Sequence, residues 1–142
     1  MRNKQKSLVL DANILIRAVL GQKVRSLITQ YAGQVHFYTP DVCYQDTEKY
    51  LPLLMKKRKI PVDCPLAVLT TLVKFIEVVD RDFYCEFENS ARQRMSTRDI
   101  EDWPVLALAL TLDCPIWTED ADFFGSGIAT WTTDRVYLFL EL

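Results

Sequence analysis

Three consecutive apolar residues, Leu8-Val9-Leu10, run straight into Asp11-Ala12-Asn13, and a helical apolar pattern begins at once behind them. A short unbroken apolar run predicts a strand buried on both faces, the kind found in parallel sheets. Asp11 then stands where a strand ends and a helix starts. In open α/β sheets ligands bind at that carboxyl edge. Asp is also a favoured helix N-cap, so the position alone leaves two readings open, cap and site acid. The choice turns on whether other acids return to the same edge.

The rest of the chain repeats the strand–helix theme. Leu15, Ala18 and Val19 predict a first helix closed by Gly21, and Val24, Leu27, Ile28 and Tyr31 a second closed by Gly33. Val35 to Tyr38 is β-branched and aromatic and reads as strand two, so the lone His36 is a strand residue rather than a base. Thr39-Pro40-Asp41 predicts a helix start, with Thr39 as cap and Pro40 in the first turn, running through Glu48, Leu51 and Met55. Pro61 and Pro65 bracket a turn, and Leu66, Leu69, Leu72, Val73 and Ile76 draw an apolar helical stripe that belongs to a core. Ile76 to Asp80 reads as strand three, overlapping that stripe, and Phe83 to Met95 as one helix. A polar loop, Ser96 to Asp102, leads into a helix with Pro104 in its first turn. Val105 to Leu110 is apolar all round, so this helix is buried on several sides or lies at a subunit contact in a homodimer. Pro115 to Thr118 is strand four, Glu119 to Gly125 an acidic turn, Ile128 to Trp131 strand five, and Thr133 to Leu140 a final helix or strand. Alternating strands and helices predict a three-layer α/β/α sandwich around a parallel sheet of four to five strands.

Length and composition restrict what such a fold can serve. A chain of 142 residues suits one domain spanning residues 1–142, with a sizeable core. A net charge of −2 argues against a domain that coats nucleic acid by its own charge, yet it leaves room for a nuclease whose positive charge comes from metal ions. No apolar run approaches a membrane span, and none follows the basic first residues as a signal peptide requires, so no membrane association is expected. Cys43, Cys64, Cys85 and Cys114 are far apart and have one His to help them; they read as free, mostly buried thiols of a cytoplasmic protein. Lys56-Lys57-Arg58-Lys59 is the one dense basic run. It reads as the solvated end of a helix, and as a candidate RNA contact.

The acids sort by place. Asp11 follows strand one, Asp120 follows strand four, Asp102 opens the apolar helix before strand four, and Glu48 lies mid-helix with Tyr44 one turn behind. Converging carboxylates repel and raise one another's pKa, and divalent cations that prefer hard oxygen ligands, magnesium or manganese, make such a group tolerable. Each acid also has an ordinary explanation. Asp102 is placed as an N-cap, and Asp120 and Asp122 could make an Asx turn. Glu48 has the weakest ordinary explanation, since nothing local needs an acid there.

Val9-Leu10-Asp11-Ala12-Asn13, Asp99-Ile100-Glu101-Asp102-Trp103-Pro104 and Trp117-Thr118-Glu119-Asp120-Ala121-Asp122-Phe123-Phe124, with the closing Gly127 to Thr133, together resemble the PIN domains. These are metal-dependent ribonucleases that include the VapC-type toxins of toxin–antitoxin pairs. The resemblance runs from Leu8 to about Thr133 and implies a metal-dependent endoribonuclease with one or two Mg2+ or Mn2+ ions, an RNA substrate and an antitoxin partner. Its four acids fall on Asp11, Glu48, Asp102 and Asp120; Asn13 and Thr118 match polar helpers, Asp122 is an outer acid, and Asp99 competes with Asp102. Two rivals stand beside it. A magnesium phosphohydrolase with an aspartyl nucleophile needs a second Asp where this chain has Asn13, and a late Lys where none follows Lys74. A non-catalytic interaction module could keep the fold without the chemistry.

Overall fold

The computed structural model describes residues 5–59 and 63–142, with side chains in the second stretch from Pro65 onward. Its centre is β1 (Lys6–Leu10), where Leu8, Val9 and Leu10 have no exposed surface. The other strands are β2 (Val35–Pro40), β3 (Ile76–Val79), β4 (Ile116–Trp117) and β5 (Thr130–Trp131). All pairings are parallel and the order is β3-β2-β1-β4-β5. Leu10 lies opposite Trp117, so β1 and β4 end side by side.

The chain steps outward from β1 to β2 to β3, then crosses back to β4. With right-handed crossovers, that reversal puts the two sets of connecting helices on opposite faces. One face carries α1 (Ala12–Leu20), α2 (Gln22–Tyr31), α3 (Asp41–Arg58) and α4 (Asp63–Leu72), with α1 touching the other three. On the other face α5 (Arg81–Tyr84) and α6 (Glu88–Arg94) pack on α7 (Trp103–Leu112), which lies against β1, β2 and β4. Every residue of α7 from Trp103 to Ala109 is buried, the outcome expected of a helix apolar all round. A last helix, α8 (Tyr137–Leu140), closes the chain. The fold is a five-stranded parallel α/β sandwich.

Several boundaries differ from the sequence pattern, each for a local reason. The helix expected over 83–95 is α5, a 3-10 turn at Cys85–Phe87, and α6. Tyr84 turns inward to donate to Asp41 at 2.6 Å, and the tight turn redirects the chain so that Ala91 and Met95 reach the core. The apolar stripe ends at Leu72 because Val73–Phe75 form a turn, which leaves Ile76 to β3 alone. Pro65 sits in the first turn of α4, where no intrahelical bond is lost, and Pro61 falls outside the described residues. At the start of α3 the cap position belongs to Pro40, while Thr39 stays in β2 and donates to the Leu10 carbonyl at 2.8 Å. Residues 133–136 are turn, and the closing helix is α8 alone. His36 is an exposed strand residue beside Tyr38. Cys43 and Cys114 are buried free thiols and Cys85 an exposed one; the side chain of Cys64 lies outside those described.

Candidate metal centre

A sheet whose strand order reverses between two neighbours opens a crevice at their carboxyl ends, and here those neighbours are β1 and β4. Asp11 leaves β1 in extended backbone and caps α1, its Oδ1 accepting from the Ala12 amide at 2.7 Å. Its other oxygen accepts from Thr118 Oγ1 and Asn13 Nδ2, both at 2.9 Å. The cap reading of Asp11 therefore holds, with one oxygen serving the helix and the other tied to Asn13 and Thr118. Burial to 5% exposure pushes the Asp11 carboxyl up; the Thr118 and Ala12 bonds pull it back, and the charge of Asp120 raises it further.

Thr118 follows β4 and ties the two strand ends together. It donates to Asp11 and accepts from Asn13 Nδ2 at 3.2 Å and from the Asp120 amide at 3.0 Å, which fills a hydroxyl's capacity. Asn13 Oδ1 accepts the Glu119 amide at 3.2 Å, so one side chain holds both strand ends. Asp120 accepts the Asp122 amide at 2.9 Å, the Asx turn expected of it.

Asp102 behaves otherwise. It occupies the N-cap position of α7, yet its side chain makes no cap bond. Asp99, three residues earlier, does accept an amide, that of Glu101 at 3.1 Å. Asp102 Oδ2 is buried with no hydrogen-bond partner among the described residues. Its carboxyl is pushed up to about 8, first by burial, then by the charges of Asp11, Asp99 and Asp120. One carboxylate oxygen from each of Asp99, Asp102 and Asp122 lies within 4.8 Å of the others. Native structures rarely leave a buried polar atom orphaned, and hard oxygens converging around one are the donor set of a divalent cation. The residues fit magnesium or manganese.

The structure thus brings Asp11, Asp102 and Asp120 together with Asp99 and Asp122, and places Asn13 and Thr118 as their hydrogen-bond partners. Asp99, weighed in sequence as a competitor of Asp102, stands beside it. Glu48 is exposed on α3, where its charge acts on Tyr44 one turn away. The inward face of that helix is Cys43, Thr47, Leu51 and Met55. Lys56, Lys57, Arg58 and Lys59 are exposed at the far end of α3.

Two features escaped the sequence pattern. Glu119 accepts from both the amide and the hydroxyl of Thr133, at 2.7 and 2.6 Å, fastening the turn after β5 to the acidic loop. Gly125 and Gly127 have φ of 84° and 92°, and Arg98 and Arg94 lie where their Cβ atoms would be, at 2.7 Å in each case. Arg94 donates to the Ser126 carbonyl at 3.0 Å and so fixes the loop that carries Asp120 and Asp122. The paired glycines, close behind the acids, were the available signal.

The PIN domain family matches this chain over residues 9–141. No curated protein sequence matches it significantly. Among solved structures it is similar to VapBC2 from Rickettsia felis bound to a promoter DNA fragment, with TM-score 0.69, 12% identity, and coverage of 89% of this chain and 98% of that one. A Pyrobaculum aerophilum protein aligns with TM-score 0.73 and 11% identity over 96% and 90% of the two chains. A toxin–antitoxin complex from Klebsiella pneumoniae aligns with TM-score 0.61 and 16% identity over 89% and 97%. These likenesses carry the fold, the family match covers nearly the whole length, and the chain belongs to the PIN domain family.

Proposed function

We propose that this protein is a metal-dependent endoribonuclease that hydrolyses RNA phosphodiester bonds, with one or two Mg2+ or Mn2+ ions held by Asp11, Asp102 and Asp120. The observation that carries this reading is the buried, unpartnered Asp102 Oδ2 among four other carboxyl groups. A bound divalent ion would lower the pKa of a water and offset charge developing on the phosphate. The chain's own residues supply the rest. Asn13 and Thr118 fix the orientation of Asp11, as outer partners of metal ligands do. The Asx turn holds Asp120, and Asp99 and Asp122 stand as outer acids beside Asp102. Glu48, exposed on α3, is assigned the orientation of the attacking water. RNA as substrate rests on the family.

Toxin–antitoxin complexes among the structural neighbours support a toxin of such a pair, with an antitoxin protein as partner. A homodimer is part of the same proposal, and light scattering measures it directly. Free buried thiols suit a cytoplasmic setting, and among the described residues no helix is long and apolar enough to cross a membrane. The test is cleavage of single-stranded RNA by metal-stripped protein with Mg2+, Mn2+ or chelator, beside Asp102→Asn. Cleavage that needs the ion and disappears in the variant is expected. RNA left intact under every condition, or an equally active variant, overturns the reading.

A further inference from the structure

We propose that a second, basic cleft beside the acids binds the phosphate backbone of the RNA strand, with Arg17, Lys23 and Arg58 as its cations. The inference rests on the nuclease reading above and adds the path by which substrate leaves the centre. The cleft encloses about 470 Å3 between the end of α1, the start of α2, the end of α3 and Thr133. All three cations are exposed and none makes a close ion pair among the described residues; Lys23 is near enough to Asp134, beside Thr133, to help hold that carboxyl down.

Two links join this cleft to the acid site. Asn13, which touches Asp11, is one helical turn before Arg17, so the two lie on one face of α1, about 6 Å apart along its axis, and Arg17 lines the cleft. Thr133, the opposite wall, is held by Glu119, whose amide is bound by Asn13. Arg17 and Arg58 also sit in the last turns of their helices, where a cation is ordinarily favoured. Helix dipoles do not explain why the two ends converge on one concavity with Lys23, where like charges repel. An anion between them relieves that repulsion, and in a protein of net charge −2 a local basic track is what brings a polyanion to an acidic centre.

The test is equilibrium binding of a short, labelled single-stranded RNA in chelator across a salt series, for wild type, Arg17→Gln, Lys23→Gln and Arg58→Gln. Lys49→Gln and Lys74→Gln, exposed and elsewhere, carry the same charge change as controls. Loss of one phosphate contact flattens the log–log salt slope by about 0.7, which is about fourfold in affinity near 0.15 M salt. The cleft variants are expected to show that loss, with KM raised and kcat kept in Mn2+, while the controls stay at wild type. Wild-type cleavage with unchanged binding in the cleft variants, or equal losses in the controls, overturns the cleft and leaves the nuclease. Binding that depends on the cleft in a protein that cuts no RNA supports the cleft and overturns the nuclease.

Discussion

Helices α1 and α7 both begin at an aspartate, and the two beginnings are built in opposite ways. Asp11 accepts three hydrogen bonds, one from the helix it caps and two from side chains that hold the neighbouring strand end. Asp102 leaves the cap unused and keeps a buried oxygen without a partner. Asp11 would help the fold even with no ligand present. Asp102 works against the fold, because a buried carboxylate with nothing to pair with disfavours its own charge and the folded state with it. An acid that costs stability marks a site more clearly than one that supplies it. Position in sequence suggested the reverse, since Asp102 stands directly before a proline-started helix.

The largest expected effect would erase the contrast in one respect. Asp11→Asn and Asp102→Asn should each reduce RNA cleavage by more than about a hundredfold, since losing even an outer partner of a metal ligand costs up to that much. Single-turnover cleavage in Mn2+ checks both, and wild-type rates in a folded Asp102 variant would remove the acid from the centre.

Stability should separate the two. Without metal at neutral pH, Asp102→Asn is expected to melt above wild type, because it removes the cost of keeping protonated in the fold a carboxyl that ionises freely in the unfolded chain. Asp11→Asn should melt below Asp102→Asn, because an amide cannot accept all three bonds, and each group left unsatisfied costs about 1–3 kcal/mol. Thermal denaturation in chelator decides it; the opposite order would mean that Asp102 is stabilised by something in solution.

The pH dependence follows with its sign. The Asp102 carboxyl is raised from 3.8 to about 8, so the folded state binds its proton more tightly than the unfolded chain. The stability this group contributes is fully present below pH 3.8 and is lost as pH rises through about 8. Metal-free protein should weaken over that window, and the slope should flatten in Asp102→Asn. Mg2+ or Mn2+ should reverse the trend at the alkaline end, adding about 2.7 kcal/mol at a hundred times the dissociation constant. A melting temperature indifferent to either ion at pH 8 would contradict the centre.

The smallest effects concern the outer acids. Asp99→Asn and Asp122→Asn should weaken metal binding by about 10–100-fold while leaving a working centre, as outer partners do. Glu48→Gln should cost no more than about a hundredfold in turnover, the lower range for a group that helps a proton move. Isothermal titration with Mn2+ and steady-state kinetics separate these cases. A Glu48 variant as inactive as Asp102→Asn would bring α3 into the centre itself.

Concavity points elsewhere in this molecule. A cavity of about 600 Å3 lies along Ala32–Tyr38 and Val73–Glu77, with His36, Lys74 and Glu77 on its walls. The acids at β1 and β4 are marked by burial and charge, and the shape of the surface alone points to a different edge.

Much of this arrangement was legible in the chain. The run from Leu8 through Asp11 into α1 declared itself because strand burial, cap chemistry and helical period are all local. The same holds for α7, whose unbroken apolar residues permit only a buried helix. The break at Cys85–Phe87 was not legible, since it depends on Tyr84 reaching Asp41 across the fold. Glu48 drew notice because nothing local called for an acid there, and on α3 its side chain is exposed.

The residues by themselves determined most of the elements, their parallel α/β class and the placing of Asp11, Asp102 and Asp120 at two strand ends and a helix start. Only the tertiary structure decided that β4 lies against β1, that Asp99 and Asp122 join Asp102, and that Arg17, Lys23 and Arg58 share a cleft. The physical reason is range. Propensity and caps act over one turn, whereas parallel pairing and the convergence of charges depend on crossovers that span most of the chain.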